Sequence, residues 1–179
     1  MPYRRLFLFL EGADDERFFR AVLFPPLKER YEDVFPVQIS QLSKKKIADW
    51  LRSVEGMEAD YLYVRDLDRF PCVMAAKDAL REAHPRLAPE RIQIVKVEIE
   101  SWYCAGIGPG KLEDLEVATC SETAGITKEK LEAAIPGGRV NRIPALVEIL
   151  EGYDLGAAAR RNESLRRFLR KHLAVENLG

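Results

Sequence analysis

Acidic side chains gather where apolar runs stop in this chain. Leu6-Phe-Leu-Phe-Leu10 ends at Glu11-Gly12, and Asp14, Asp15 and Glu16 follow at once. Tyr61-Leu-Tyr-Val64 leads into Arg65-Asp66-Leu67-Asp68, and a third run meets Glu98 and Glu100. Residues two apart on an extended chain point the same way, so Asp66 and Asp68 share a direction while the chain stays extended. Crowded carboxylates repel, and a divalent ion relieves the repulsion. Such an ion polarises a phosphoryl oxygen or supplies hydroxide. There is no Cys-x-x-Cys, and His84 and His172 stand far apart, so zinc chemistry is disfavoured. Oxygen ligation of Mg2+ or Mn2+ is the metal chemistry this chain offers. Singly, each cluster has a simpler reading: Asp14–Glu16 as a helix start, Asp66–Asp68 as a polar loop. Their recurrence at successive strand ends is what points to a site.

The elements that position these acids alternate. Arg4–Leu10 reads as a strand buried on both faces. Asp14 is the expected cap of a helix carrying Phe18, Phe19, Val22 and Leu23, interrupted by Pro25-Pro26. Val34–Leu42 reads as a strand near an edge because of Pro36. Ser43 caps a helix ended by Gly56. Tyr61–Val64 is a third strand, Pro71 starts a helix stopped at His84-Pro85, and Arg91–Val97 is a fourth strand. The alternation predicts an α/β fold: a three-layer, doubly wound parallel sheet of about four strands, with right-handed crossovers. After Gly106 the pattern is helical, around Leu112–Leu115, Thr127–Ile135, Pro144–Leu150 and Ala157–Leu173. The expected division is a core over residues 1–106 and a helical extension over 107–179, packed on it as one structural unit.

The 179 residues are 47% hydrophobic and 32% charged, the composition of a folded globular protein and not of a disordered one. No apolar run approaches the roughly 18 residues of a membrane span, so no membrane partner is expected. The start imitates a signal peptide but runs into Glu11 after five apolar residues, which suggests a cytoplasmic protein. Cys72, Cys104 and Cys120 are too few and too scattered for a disulfide framework.

Leu10-Glu11-Gly12-x-x-Asp15, followed by Asp66-x-Asp68 after an apolar strand, resembles the Toprim domain shared by topoisomerases, bacterial primases, recombination mediators and nucleases of the OLD (overcoming lysogenization defect) type. Glu98-Ile-Glu-Ser-Trp-Tyr-Cys-Ala105 is similar to the Glu-Ser-Trp segment of small stand-alone Toprim-like proteins near the OLD group. Arg69-Phe70-Pro71 replaces the glycine-containing turn of primases and topoisomerases, which favours the OLD side. The resemblance implies a Mg2+- or Mn2+-dependent nuclease acting on DNA or RNA. Glu11, Asp66 and Asp68 would be its catalytic acids, and Glu11, Asp15, Asp66, Asp68 and Glu100 its metal ligands. Glu100 occupies the Glu-Ser-Trp position, with Glu98 the alternative. No P-loop is present, so an ATPase would come from another polypeptide. Two other readings stay open: a non-catalytic component that binds nucleic acid or protein, and a phosphatase or receiver-like domain.

A site for a polyanion needs basic flanks. Lys44 and Lys45, with Lys46, open the second long helix, and Arg166, Arg167, Arg170 and Lys171 fall opposite Leu165, Phe168, Leu169 and Leu173 near the C-terminus. These are the candidate nucleic-acid contacts.

Overall fold

The computed structural model describes residues 3–108, 123 and 125–173. Cys120 and the predicted helix at Leu112–Leu115 lie outside them. The chain forms two compact units, Met1–Val95 and Lys96–Gly179. Glu98–Ala105 therefore belongs with the helical unit, and the division falls earlier than the expected boundary at residue 106.

The first unit is the predicted α/β fold. Strands β1 (Arg5–Leu10), β2 (Asp33–Gln38), β3 (Asp60–Asp66) and β4 (Ile92–Val95) form one parallel sheet in the order β2-β1-β3-β4. β2 is an edge strand, as Pro36 requires. Alternation divides the side chains between two faces. Phe7, Phe9, Tyr61, Tyr63, Ile92 and Ile94 pack with Ile47, Leu51 and Val54 of α3 (Lys44–Gly56) and Ala76 of α4 (Val73–Ala83). Leu6, Leu8, Leu10, Leu62 and Val64 are buried on the other face. Right-handed crossovers assign that face to the helical stretch between β1 and β2. Removing each such Leu or Phe from water contributes about 1.5–3 kcal/mol.

That stretch corrects two expectations. Its cap is Gly12, one turn before Asp15; the Gly12 N–H donates to Asp15 Oδ2 at 3.1 Å, so Asp14 is not the cap. The prolines do not stop it either. α1 (Ala13–Phe18) passes through a π-helical turn, Phe19–Leu23, into α2 (Phe24–Lys28), with Pro25 and Pro26 in α2's first turn. A first turn has no use for their missing N–H groups, and the wider π turn reaches it without a break.

Ser43 caps α3 as predicted, its Oγ accepting the Lys46 N–H at 3.3 Å. For α4 the cap is Cys72, so Pro71 precedes the helix instead of opening it. β4 is shorter than expected because Val97 takes φ +72° and turns the chain.

The second unit is helical among its described residues: α5 (Glu100–Ala105), α6 (Lys128–Ala134), α7 (Arg142–Leu150), α8 (Leu155–Arg161) and α9 (Glu163–Leu173). The expected single helix over Ala157–Leu173 is two, broken at Asn162, which has the extended angles φ −135° and ψ 109°. Its buried amide Nδ2 donates to Ser101 O at 3.2 Å and Thr123 Oγ1 at 3.2 Å, while Oδ1 accepts from Ser164 Oγ and the Leu165 N–H. Asn162 caps α9 and ties it to α5. Trp102 is fully buried here, its Nε1 donating to Ser164 Oγ at 2.7 Å and its ring 5.5 Å from that of Phe168. Among the described residues no helix is long and apolar enough to cross a membrane.

Candidate functional site

β1 and β3 are neighbours, and the chain leaves them toward opposite faces of the sheet. A crevice forms at such a switch point, beyond the carboxyl ends of the strands, and α/β sheets bind ligands there. Glu11, Arg65, Asp66 and Asp68 all stand at this point.

Register decides which of them meet. β1 and β3 pair from Leu6 with Asp60 to Phe9 with Tyr63, and two more steps set Glu11 beside Arg65, not beside Asp66. Both side chains leave on the face of Phe9 and Tyr63. Arg65 Nε lies 3.3 Å from Glu11 Oε2, and its Nη2 lies 3.5 Å from Asp68 Oδ2. One guanidinium thus lies against two carboxylates. The Asp66 backbone N–H donates to the same Glu11 Oε2 at 3.4 Å. Asp66's own side chain leaves on the opposite face, with Leu62 and Val64, and its Oδ1 is shielded from solvent.

The Asp-x-Asp pair is not extended. β3 ends at Asp66, and a turn closes with the Phe70 N–H donating to Leu67 O at 3.0 Å. Asp68 sits in that turn with φ +48°, a left-handed conformation that Asp tolerates better than most residues. The shared direction expected of Asp66 and Asp68 fails because the strand stops between them. The turn instead brings Asp68 back to Arg65.

Tyr63 and Ile94, both buried, share the sheet face of Arg65. Burial pushes the Tyr63 phenol up to about 12, with Arg65 lowering it and Glu11 raising it. His84 lies against Tyr63, ring centroids 6.0 Å apart. Burial lowers its pKa, and the charges of Lys44 and Arg65 lower it further. Lys44 and Arg65 therefore act on one imidazole. Lys44, Lys45 and Lys46 are all exposed at the start of α3, which follows β2 at the same carboxyl edge of the sheet.

The remaining predicted residues have other partners. Asp15 is buried, its Oδ2 accepting the Gly12 N–H. Glu100 lies in the second unit, 4% exposed, where Arg142 Nη2 donates to its Oε1. Burial raises the Glu100 pKa, and Arg142 opposes that rise. Arg142 also pairs with Glu132 at 3.2 Å. Glu98 Oε2 accepts the Lys128 N–H. On α9, Arg167, Arg170 and Lys171 are exposed and Arg166 is half-buried; Arg167 pairs with Glu163 at 2.6 Å.

A divalent ion requires oxygen donors converging on one open point. Among the described residues no three His, Cys, Asp or Glu side chains converge in that way. Glu11 and Asp68 lie against a guanidinium, Asp66 leaves on the other face, Asp15 accepts a cap N–H, and Glu100 is paired with Arg142. This arrangement does not fit the implied metal. The residue that the sequence pattern did not single out is Arg65. Its signal was the period of β3: Tyr61, Tyr63 and Arg65 share a face, so an arginine at the strand end sits one register step from Glu11. Comparisons with models of protein families, with curated proteins and with solved structures found no match to this chain.

Proposed function

We propose that this chain is a non-catalytic, Toprim-like binding module that engages the phosphodiester backbone of DNA or RNA at the β1/β3 crevice. The observation that carries the reading is the run of exposed lysines, Lys44, Lys45 and Lys46, on the carboxyl edge of the sheet; Arg65, partly exposed at the switch point between Glu11 and Asp68, stands at that edge as well. Arginine holds phosphate oxygens through a planar fork of donors, and lysines add mobile point charge. In the second unit, Arg166, Arg170 and Lys171 on α9 are candidates for further phosphate binding. Within this reading the module belongs to a larger system whose ATPase is another polypeptide.

The test is fluorescence anisotropy of labelled single- and double-stranded oligonucleotides, with and without chelator. Expected are salt-dependent binding that chelator leaves unchanged and oligonucleotides that remain intact. Replacing Lys44, Lys45 and Lys46 with Ala should lower the salt slope by about 0.9 for each duplex phosphate that those lysines neutralise. Absence of binding at low salt would sink the reading.

A metal-dependent nuclease is the second reading. It is favoured by the meeting of Glu11 and the Asp66 N–H at adjacent strand ends. Cleavage of plasmid or RNA in Mg2+ or Mn2+ that disappears in the Asp66→Ala/Asp68→Ala protein would establish it and displace the first.

A further inference from the structure

We infer that Arg65 is the resident cation of the β1/β3 crevice, and that its guanidinium keeps a divalent ion from lodging between Glu11 and Asp68. Three observations converge. The pairing is set by the backbone: the β1/β3 register, continued two steps past Phe9 and Tyr63, brings Glu11, just beyond β1, level with Arg65 on the same face, and the two side chains meet there. The Asp68 turn closes on the same guanidinium, and the Asp66 N–H holds the same Glu11 oxygen that Arg65 Nε approaches. Arg65 also shares its sheet face with Tyr63, two residues earlier, and with Ile94, its register partner on β4, which are 1% and 4% exposed.

An arginine in this place differs from a bound ion in two ways. It stays protonated throughout the accessible pH range, and chelators cannot remove it. It also repels any dication brought to the same carboxylates. The crevice therefore holds a fixed cation between two acids, one that pH and chelators leave in place. Removing the guanidinium while keeping the stem would leave Glu11 and Asp68 facing one another. Two carboxylates with water then form a site for a hard divalent ion.

The experiment uses Mn2+ alone as the probe, with no nucleic acid, so its result is separate from the binding assay above. Free Mn2+ is read by electron paramagnetic resonance during titration of the full chain: wild type, Glu11→Gln, Arg65→Lys, Arg65→Met and Arg65→Met/Glu11→Gln. Wild type, Glu11→Gln and Arg65→Lys should give the same weak background. Arg65→Met should gain a single Mn2+ site, and the double variant should lose it. Mn2+ binding by wild type that Glu11→Gln abolishes would overturn the inference, and that comparison stands even if Arg65→Met fails to fold. Folded Arg65→Met that gains no site, with circular dichroism matching wild type, would overturn it equally.

Discussion

If Arg65 holds two carboxylates together, its removal must cost more than the removal of either acid. Glu11 and Arg65 approach to 3.3 Å with both side chains 29% exposed, between the surface and buried extremes. Exposed pairs contribute about 0.2–1 kcal/mol, whereas breaking a buried pair costs about 3–5 kcal/mol. Glu11→Gln should therefore cost about 1 kcal/mol. Arg65→Met should cost about 2 kcal/mol, because Glu11 and Asp68 are then left to repel each other. The double variant should cost about 2 kcal/mol, less than the sum, for a coupling of about 1 kcal/mol. Urea unfolding followed by the fluorescence of Trp50, which sits on α3 with its ring 6.1 Å from that of Phe7, reports on this unit. Strict additivity of the two single changes would refute the pairing, as would an Arg65→Met protein as stable as wild type.

Three further outcomes follow from the same geometry. Asn162→Ala should destabilise the second unit by about 3 kcal/mol, combining a missing helix cap with buried partners left unsatisfied, and denaturation monitored at Trp102 measures it. Asp60 bridges Arg4 at 3.0 Å and Arg91 at 2.6 Å; burial works to raise its pKa, but the two guanidiniums hold it below the ordinary 3.8. Its contribution to stability is present above 3.8 and fades as pH falls through the lower folded value, so Asp60→Asn should flatten the acid limb of a stability–pH curve. Neutralising Lys44, Lys45 and Lys46 should weaken oligonucleotide binding similarly across sequences, because phosphate contacts carry no base information.

The alternation of strands and helices was legible because buried parallel strands and capped helices leave strong local patterns. Pro36 at the edge, Ser43 at a cap and His84-Pro85 at a helix end each act through their own chemistry, and each falls where that chemistry predicts. Register is different. A shift of one residue in β3 would exchange Arg65 for Asp66 beside Glu11, and no local signal in either strand distinguishes those alignments. The left-handed turn at Asp68 brings its carboxylate to Arg65, three residues earlier, and the break at Asn162 depends on partners distant in sequence, Ser101 and Thr123. Glu100 read as a ligand because its neighbours, Ser101 and Trp102, carried the resemblance. Its carboxylate instead meets Arg142, forty-two residues later in the chain.

Anomalous diffraction at the manganese edge, from crystals soaked in Mn2+, tests most directly whether Arg65 is the resident cation of the crevice. The expected result is guanidinium density between Glu11 and Asp68 and no manganese peak there. A manganese ion coordinated by Glu11 and Asp68, with Arg65 displaced, would contradict it.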